Sequence, residues 1–148
     1  VENRNLEHWF LDRQEKLLAW RAWRNTLSAM DNDDMLNEVA LWWKFVPMVN
    51  KIINPLRSDT WPDPWALIAD GSFCANAQGL GIFYSLTLIN KTSNLLQAMV
   101  EDKIKLLVLV DDSKLLNYYD GEVIDIKNAE LQILQTWTPS DLARLVKV

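Results

Sequence analysis

The apolar pattern of this 148-residue chain changes period partway along, and that change constrains the fold more than any other feature. From Leu6 to about Met30, the residues Leu6, Trp9, Phe10, Leu17, Trp20, Trp23, Leu27 and Met30 recur at helical spacing. Beyond residue 102 the runs shorten. "KIKLLVLV" (103–110) is apolar and β-branched and reads as a buried strand. "LLNYYD" (115–120) and "EVIDI" (122–126) flank Asp120-Gly121, a hairpin signal, and "ELQIL" (130–134) offers a further strand. Helices followed by antiparallel strands mean an α+β protein.

Local punctuation places the elements. "DNDD" (31–34) breaks the first helix and caps a second from about Met35, which Pro47 ends. "NPLRSDTWPDP" (54–64) reads as a loop. In "DPWALIADG" (63–71), Asp63 suits an N-cap, Pro64 a first turn and Gly71 a C-terminal stop, so a short helix is expected. Ser72 then caps a buried helix from about Phe73 to Ile89, in which Ala75, Ala77, Gly79 and Gly81 let neighbouring backbone approach. Ser93–Val100 is expected to be helical. Thr138 and Asp141 form a capping box for a C-terminal helix. The result is one domain with a helical N-terminal part (1–53), a core (61–128) and a C-terminal strand and helix (129–148).

Composition narrows the function. A net charge of -5 and a pI near 4.8 argue against nucleic acid or an anionic membrane as partner. No leader pattern opens the sequence and no apolar run reaches membrane-spanning length, so a soluble protein is expected. One cysteine cannot form an internal disulfide, and one histidine, His8, does not make a metal cluster. "GLG" (79–81) lies inside a helix instead of between strand and helix, so neither a phosphate loop nor a cofactor is expected. The eight tryptophans suit either a Trp-rich core or an interface. Leu11 and Leu18 lie on a second side of the first helix. Neighbours on a helix point about 100° apart, so one ring of the Trp42–Trp43 pair is expected at a second contact surface. Leu11, Leu18, Trp42 and Trp43 are therefore the interface candidates.

Cys74, the lone cysteine, sits where the buried helix begins. A helix N-terminus supplies partial positive charge and free N–H groups that favour a thiolate nucleophile. The spacing of Trp61, Pro64, Leu67, Gly71, Cys74, Ala77 and Leu80 resembles the nucleophile region of bacterial transglutaminase-like cysteine peptidases. The resemblance covers residues 61–128. It implies a cysteine opening a buried helix against an antiparallel sheet, a histidine on a following strand, and an Asp or Asn on the strand after. "DGEVIDIKN" (120–128) resembles that last strand, with Asp125 in the acidic position. The acidic residue that usually accompanies the family's cysteine is absent, since Phe73 and Ala75 flank Cys74.

The histidine is missing from its place as well. Where it is expected, the chain offers Ser113, Lys114, Leu115, Leu116 and Asn117, none of which is an imidazole. A lysine base would have to be buried to lose its proton near neutrality, and Lys114 sits in a polar turn beside Asp111 and Asp112. His8 would reach the cysteine only if the N-terminal helix folded across the cleft. Cys74 and Asp125 therefore read as vestiges of a catalytic set. The expected protein is not an enzyme but a structural or adaptor protein binding other proteins in a symmetric assembly. The tone of "LAWRAWRNTL", "WWKFVPMVN" and "WPDPWALI" resembles proteins of tailed bacteriophages, which implies a neck, tail or capsid component in a virion or host cytoplasm. The alternatives are a cysteine peptidase or amidase with an unusual base, and a soluble inhibitory binding module.

Overall fold

The computed structural model describes residues 7–50 and 53–146, with the backbone alone for Glu7 and His8. The first helical region is divided in two. Glu7–Phe10 forms a 3-10 helix, and α1 (Arg13–Leu27) begins after Asp12, whose carboxylate accepts the Glu15 N–H at 2.9 Å. The apolar period runs on through this break, but the N-cap resets the backbone at Asp12; Leu6 lies outside the described residues. Asp31 caps α2 (Asn32–Lys44) by accepting the Asp34 N–H at 2.8 Å. Asp63 does the same for α3 (Pro64–Asp70) through the Ala66 N–H at 2.7 Å, and Gly71 ends α3 with φ +69°. The buried helix α4 spans Ala75–Leu88.

Five strands follow: β1 (Ser93–Val100), β2 (Lys103–Val110), β3 (Lys114–Leu116), β4 (Val123–Asp125) and β5 (Gln132–Trp137). They form one antiparallel sheet in the order β4-β3-β2-β1-β5. The protein is thus α+β, with the helices on one face of the sheet.

Two expected helices are absent. Ser93–Val100 is a strand that pairs with β2 from Ser93↔Val110 to Val100↔Lys103 and with β5 along its other edge. An eight-residue apolar run carries no period that separates a buried strand from a helix, and pairing on both edges decides it. Glu101 and Asp102, at φ +47° and +65°, make the tight turn between β1 and β2. At the C-terminus the capping box does form, with Thr138 N–H on the Asp141 carboxylate at 2.9 Å and Asp141 N–H on Thr138 Oγ at 3.2 Å. Residues 138–146 nevertheless close as successive turns, which bury Leu142 and Val146.

Helix α4 lies between the sheet and the other helices, buried along most of its length. Two glycines allow this. A Cβ at Gly79 would stand 2.3 Å from the Leu106 carbonyl oxygen of β2, and one at Gly81 would stand 2.2 Å from the Trp43 ring. The same helix therefore touches strand backbone on one side and an indole on the other. The outer face of the sheet holds a smaller cluster, built on Leu96, Ala98, Val100, Leu107 and Leu115.

Candidate active site around Cys74

Cys74 is itself the N-cap of α4, a place expected for Ser72; its backbone is extended, at φ -123° and ψ 177°. The chain on both sides of it is pinned. The Phe73 N–H donates to the Pro47 carbonyl at 3.0 Å, and the Phe73 carbonyl accepts the Val49 N–H at 2.9 Å. The Phe73 ring, fully buried, meets Trp9 at 5.0 Å and Trp43 at 5.4 Å, edge-on. Trp42 touches Trp9 and Trp43 at 5.1 Å each and stacks on Trp23 at 4.4 Å. The tryptophans of the helical half thus form an aromatic bed under the residue preceding the thiol.

That bed corrects one expectation. Trp42 and Trp43 are 8% and 1% exposed, and neither reaches a second contact surface. Their rings do diverge, as helical geometry requires, but both directions lead into the chain itself: Trp42 toward α1 and the 3-10 helix, Trp43 toward α4. Leu11 and Leu18 remain at the surface, 39% and 60% exposed.

On the other side of Cys74, two amides tie the first turn of α4 to the sheet. Asn76 Oδ1 accepts the Leu106 N–H at 3.1 Å. Asn117, buried just past β3, donates from Nδ2 to the Ala75 carbonyl at 2.9 Å and to the Leu106 carbonyl at 3.0 Å. Asn117 adopts φ +72°, a left-handed conformation that asparagine tolerates better than most residues. Sequence reasoning weighed Asn117 only as a stand-in for histidine and missed this anchoring role. Asparagine between an apolar strand and a turn was its one signal.

Asp125 is not part of this arrangement. It pairs with Lys114, which pairs with Val110, whereas α4 meets β2 at Leu106. Four residues of strand separate the two places, about 13 Å at the usual rise. Asp125 instead caps a 3-10 turn, accepting the Lys127 N–H at 2.9 Å. Ser113 and Lys114 lie at that distant end too. The resemblance reached for the acid on β4, one strand too far along. Asn117, beside β3, is the residue that comes to the cysteine-bearing helix.

No imidazole faces Cys74 from β2. Leu106, Val108 and Val110 pack in the helix-side core and Leu107 on the outer face, so by alternation Ile104 also faces the helices and Lys105 faces away. Lys105 donates to the Tyr118 carbonyl at 3.3 Å, and burial lowers its pKa. The 3-10 helix that carries His8 docks beside Cys74 through the Trp9–Phe73 contact; the His8 side chain lies outside the described residues.

The thiol is half-buried. Its sulfur accepts the Ile53 N–H at 3.4 Å, and it lines a cavity of about 420 Å³ with Ile53, Pro62, Leu67, Asp70 and Ser72. Among the described residues, Asp70 is the one other ionisable group on that lining. Residues 53–55 cross in front of the thiol. The Ile53 carbonyl accepts Asn76 Nδ2 at 3.2 Å, the Asn54 carbonyl accepts Trp61 Nε1 at 2.8 Å, and the Pro55 carbonyl accepts Gln97 Nε2 at 2.8 Å.

No protein-family model matches the sequence, and no curated protein does. The fold matches solved structures of LapG from Legionella pneumophila, which has a transglutaminase-like fold. One structure superposes with a TM-score of 0.69 at 11% identity, covering 91% of this chain and 84% of LapG. A calcium-bound LapG structure gives 0.64 at 11% identity, covering 88% and 81%. The chain therefore has the transglutaminase-like fold that the spacing around Cys74 suggested. Among the described residues, no three His, Cys, Asp or Glu side chains converge to hold a metal ion.

These matches overturn the expectation of a non-catalytic structural or adaptor protein, and with it the expectation that the chain is not an enzyme. That expectation rested on a histidine missing from one stretch of sequence, with Cys74 and Asp125 taken as remnants. The fold holds the cysteine at the N-terminus of its buried helix.

Proposed function

We propose that the protein is a cysteine peptidase or amidase with Cys74 as its nucleophile. One observation carries the reading: a half-buried cysteine stands at the N-cap position of the buried helix of a LapG-like fold, and its thiol opens on a cavity. The first-turn N–H groups of α4 have no partner within the helix, and the helix dipole adds partial positive charge beside the sulfur. Both favour the anionic tetrahedral intermediate formed when sulfur attacks an acyl carbon. Collapse of that intermediate expels the amine and leaves a thioester, which water then hydrolyses.

The thiol proton must reach the leaving amine. Asp70 lines the same cavity, and His8 belongs to the 3-10 helix docked on Phe73. Cleavage of a peptide and acyl-amide library, read by mass spectrometry, tests the proposal. Cys74→Ala should lower turnover by about a thousandfold or more while the fold is kept. Loss of turnover in His8→Ala assigns the proton to the imidazole, and loss in Asp70→Asn assigns it to the carboxylate. Turnover that persists in Cys74→Ala refutes the proposal.

A further inference from the structure

Three consecutive backbone carbonyls, those of Ile53, Asn54 and Pro55, each accept a hydrogen bond from a different side chain: Asn76, Trp61 and Gln97. None of these donors belongs to the segment itself. Asn76 is on the first turn of α4, Trp61 precedes α3, and Gln97 is on β1 with its side chain buried. The segment therefore spans the interval between the cysteine-bearing helix and the sheet. Its Ile53 N–H points at the sulfur. Asn54 is exposed and contributes only its own turn, accepting the Leu56 N–H at 2.9 Å, and Leu56 is 59% exposed. The hydrogen bonds that hold this stretch are made to its backbone, while the Ile53 side chain packs against the core and the Arg57 N–H closes a turn onto the Asn54 carbonyl at 3.2 Å. A site that grips backbone in this way holds a polypeptide without reading most of its side chains.

We infer that residues 53–55 occupy the substrate groove as a built-in pseudosubstrate strap. The substrate is then a polypeptide segment whose carbonyls take over Asn76 Nδ2, Trp61 Nε1 and Gln97 Nε2 when the strap lifts. This rests on the hydrolase reading for its substrate but not for its gate. The strap also explains how the thiol can line a cavity and yet be covered: the sulfur's exposed side faces the small cavity, while the long groove needed by a chain is filled.

Two kinds of variant separate gate from groove. Asn54→Gly/Pro55→Gly loosens the strap and leaves all three donors in place, because neither side chain contributes to the groove. Gln97→Ala removes a donor that holds the strap and would also hold the substrate. Both are checked for parent-like thermal melting, then treated with iodoacetamide, a small probe, and with a tetrapeptidyl chloromethyl ketone, a strand-like one. Iodoacetamide labelling of Cys74 should rise about tenfold in both forms, since each loses roughly one hydrogen bond's worth of closure or gains comparable chain freedom. The peptidyl probe should gain as much in the glycine form and distinctly less in Gln97→Ala. An unchanged iodoacetamide rate in both forms overturns the strap. Equal peptidyl gains in both forms overturn the groove. Faster iodoacetamide labelling with no peptidyl labelling in any form supports the gate and overturns the hydrolase reading on which the substrate rests.

Discussion

The two sides of Cys74 are held by different forces. Behind it, Phe73 is locked by two backbone hydrogen bonds and embedded among tryptophans, and this bed continues into the molecule. There both the Trp20 and Trp43 indoles donate to Ser85 Oγ, at 3.3 and 3.1 Å, and Ser85 donates to the Gly81 carbonyl at 2.8 Å. In front of it, residues 53–55 are held by side-chain hydrogen bonds to their backbone, with the half-buried Ile53 side chain against the core. Burial of aromatic area is costly to undo. Hydrogen bonds near the surface exchange with water at small net cost. The floor of the site is built to stay and its cover is built to leave.

Substitutions can break or sharpen that contrast. Trp43→Ala should be the most damaging, at about 3–5 kcal/mol, because it empties the bed under Phe73 and beside Gly81. Gly79→Ala should cost about 1–3 kcal/mol, since its methyl group meets strand backbone that cannot step aside. Ser85→Ala strands two buried indole N–H groups and should cost about 1–3 kcal/mol by urea unfolding. Gln97→Ala should lower stability by only about 1 kcal/mol, although it uncovers the thiol. Leu18→Lys, on the exposed side of α1, should stay within about 0.5 kcal/mol of the parent. A Gln97→Ala loss as large as that of Trp43→Ala would erase the distinction between floor and cover.

Much of this was legible from the residues. The change of apolar period gave the α+β class, and Asp31, Asp63 and Gly71 mark helix ends where local chemistry places them. The spacing from Trp61 to Leu80 led to the right fold through the cysteine-bearing helix. Two expectations that depend on pairing across the sheet failed, although the hairpin across Asp120-Gly121 formed between β3 and β4. Ser93–Val100 became a strand only because β2 and β5 flank it, and Asp125 was set on the strand next to the one that matters. The Trp42–Trp43 divergence was read correctly as geometry and wrongly as an outer surface, since two internal neighbours were waiting. Nothing in the sequence pointed to residues 53–55, because their role lies in carbonyl groups that every residue has.

The most direct measurement is the labelling of Cys74 by a peptidyl chloromethyl ketone in the native and urea-unfolded protein, with Cys74→Ser as blank and intact mass as readout. The account predicts one adduct, confined to Cys74, formed slowly in the native parent and, once the strap is loosened by Asn54→Gly/Pro55→Gly, faster than in the unfolded chain, because the folded site positions the peptidyl probe against the thiol. Slower labelling in the native protein, persisting when the strap is loosened by Asn54→Gly/Pro55→Gly, would show an inert buried cysteine and contradict it.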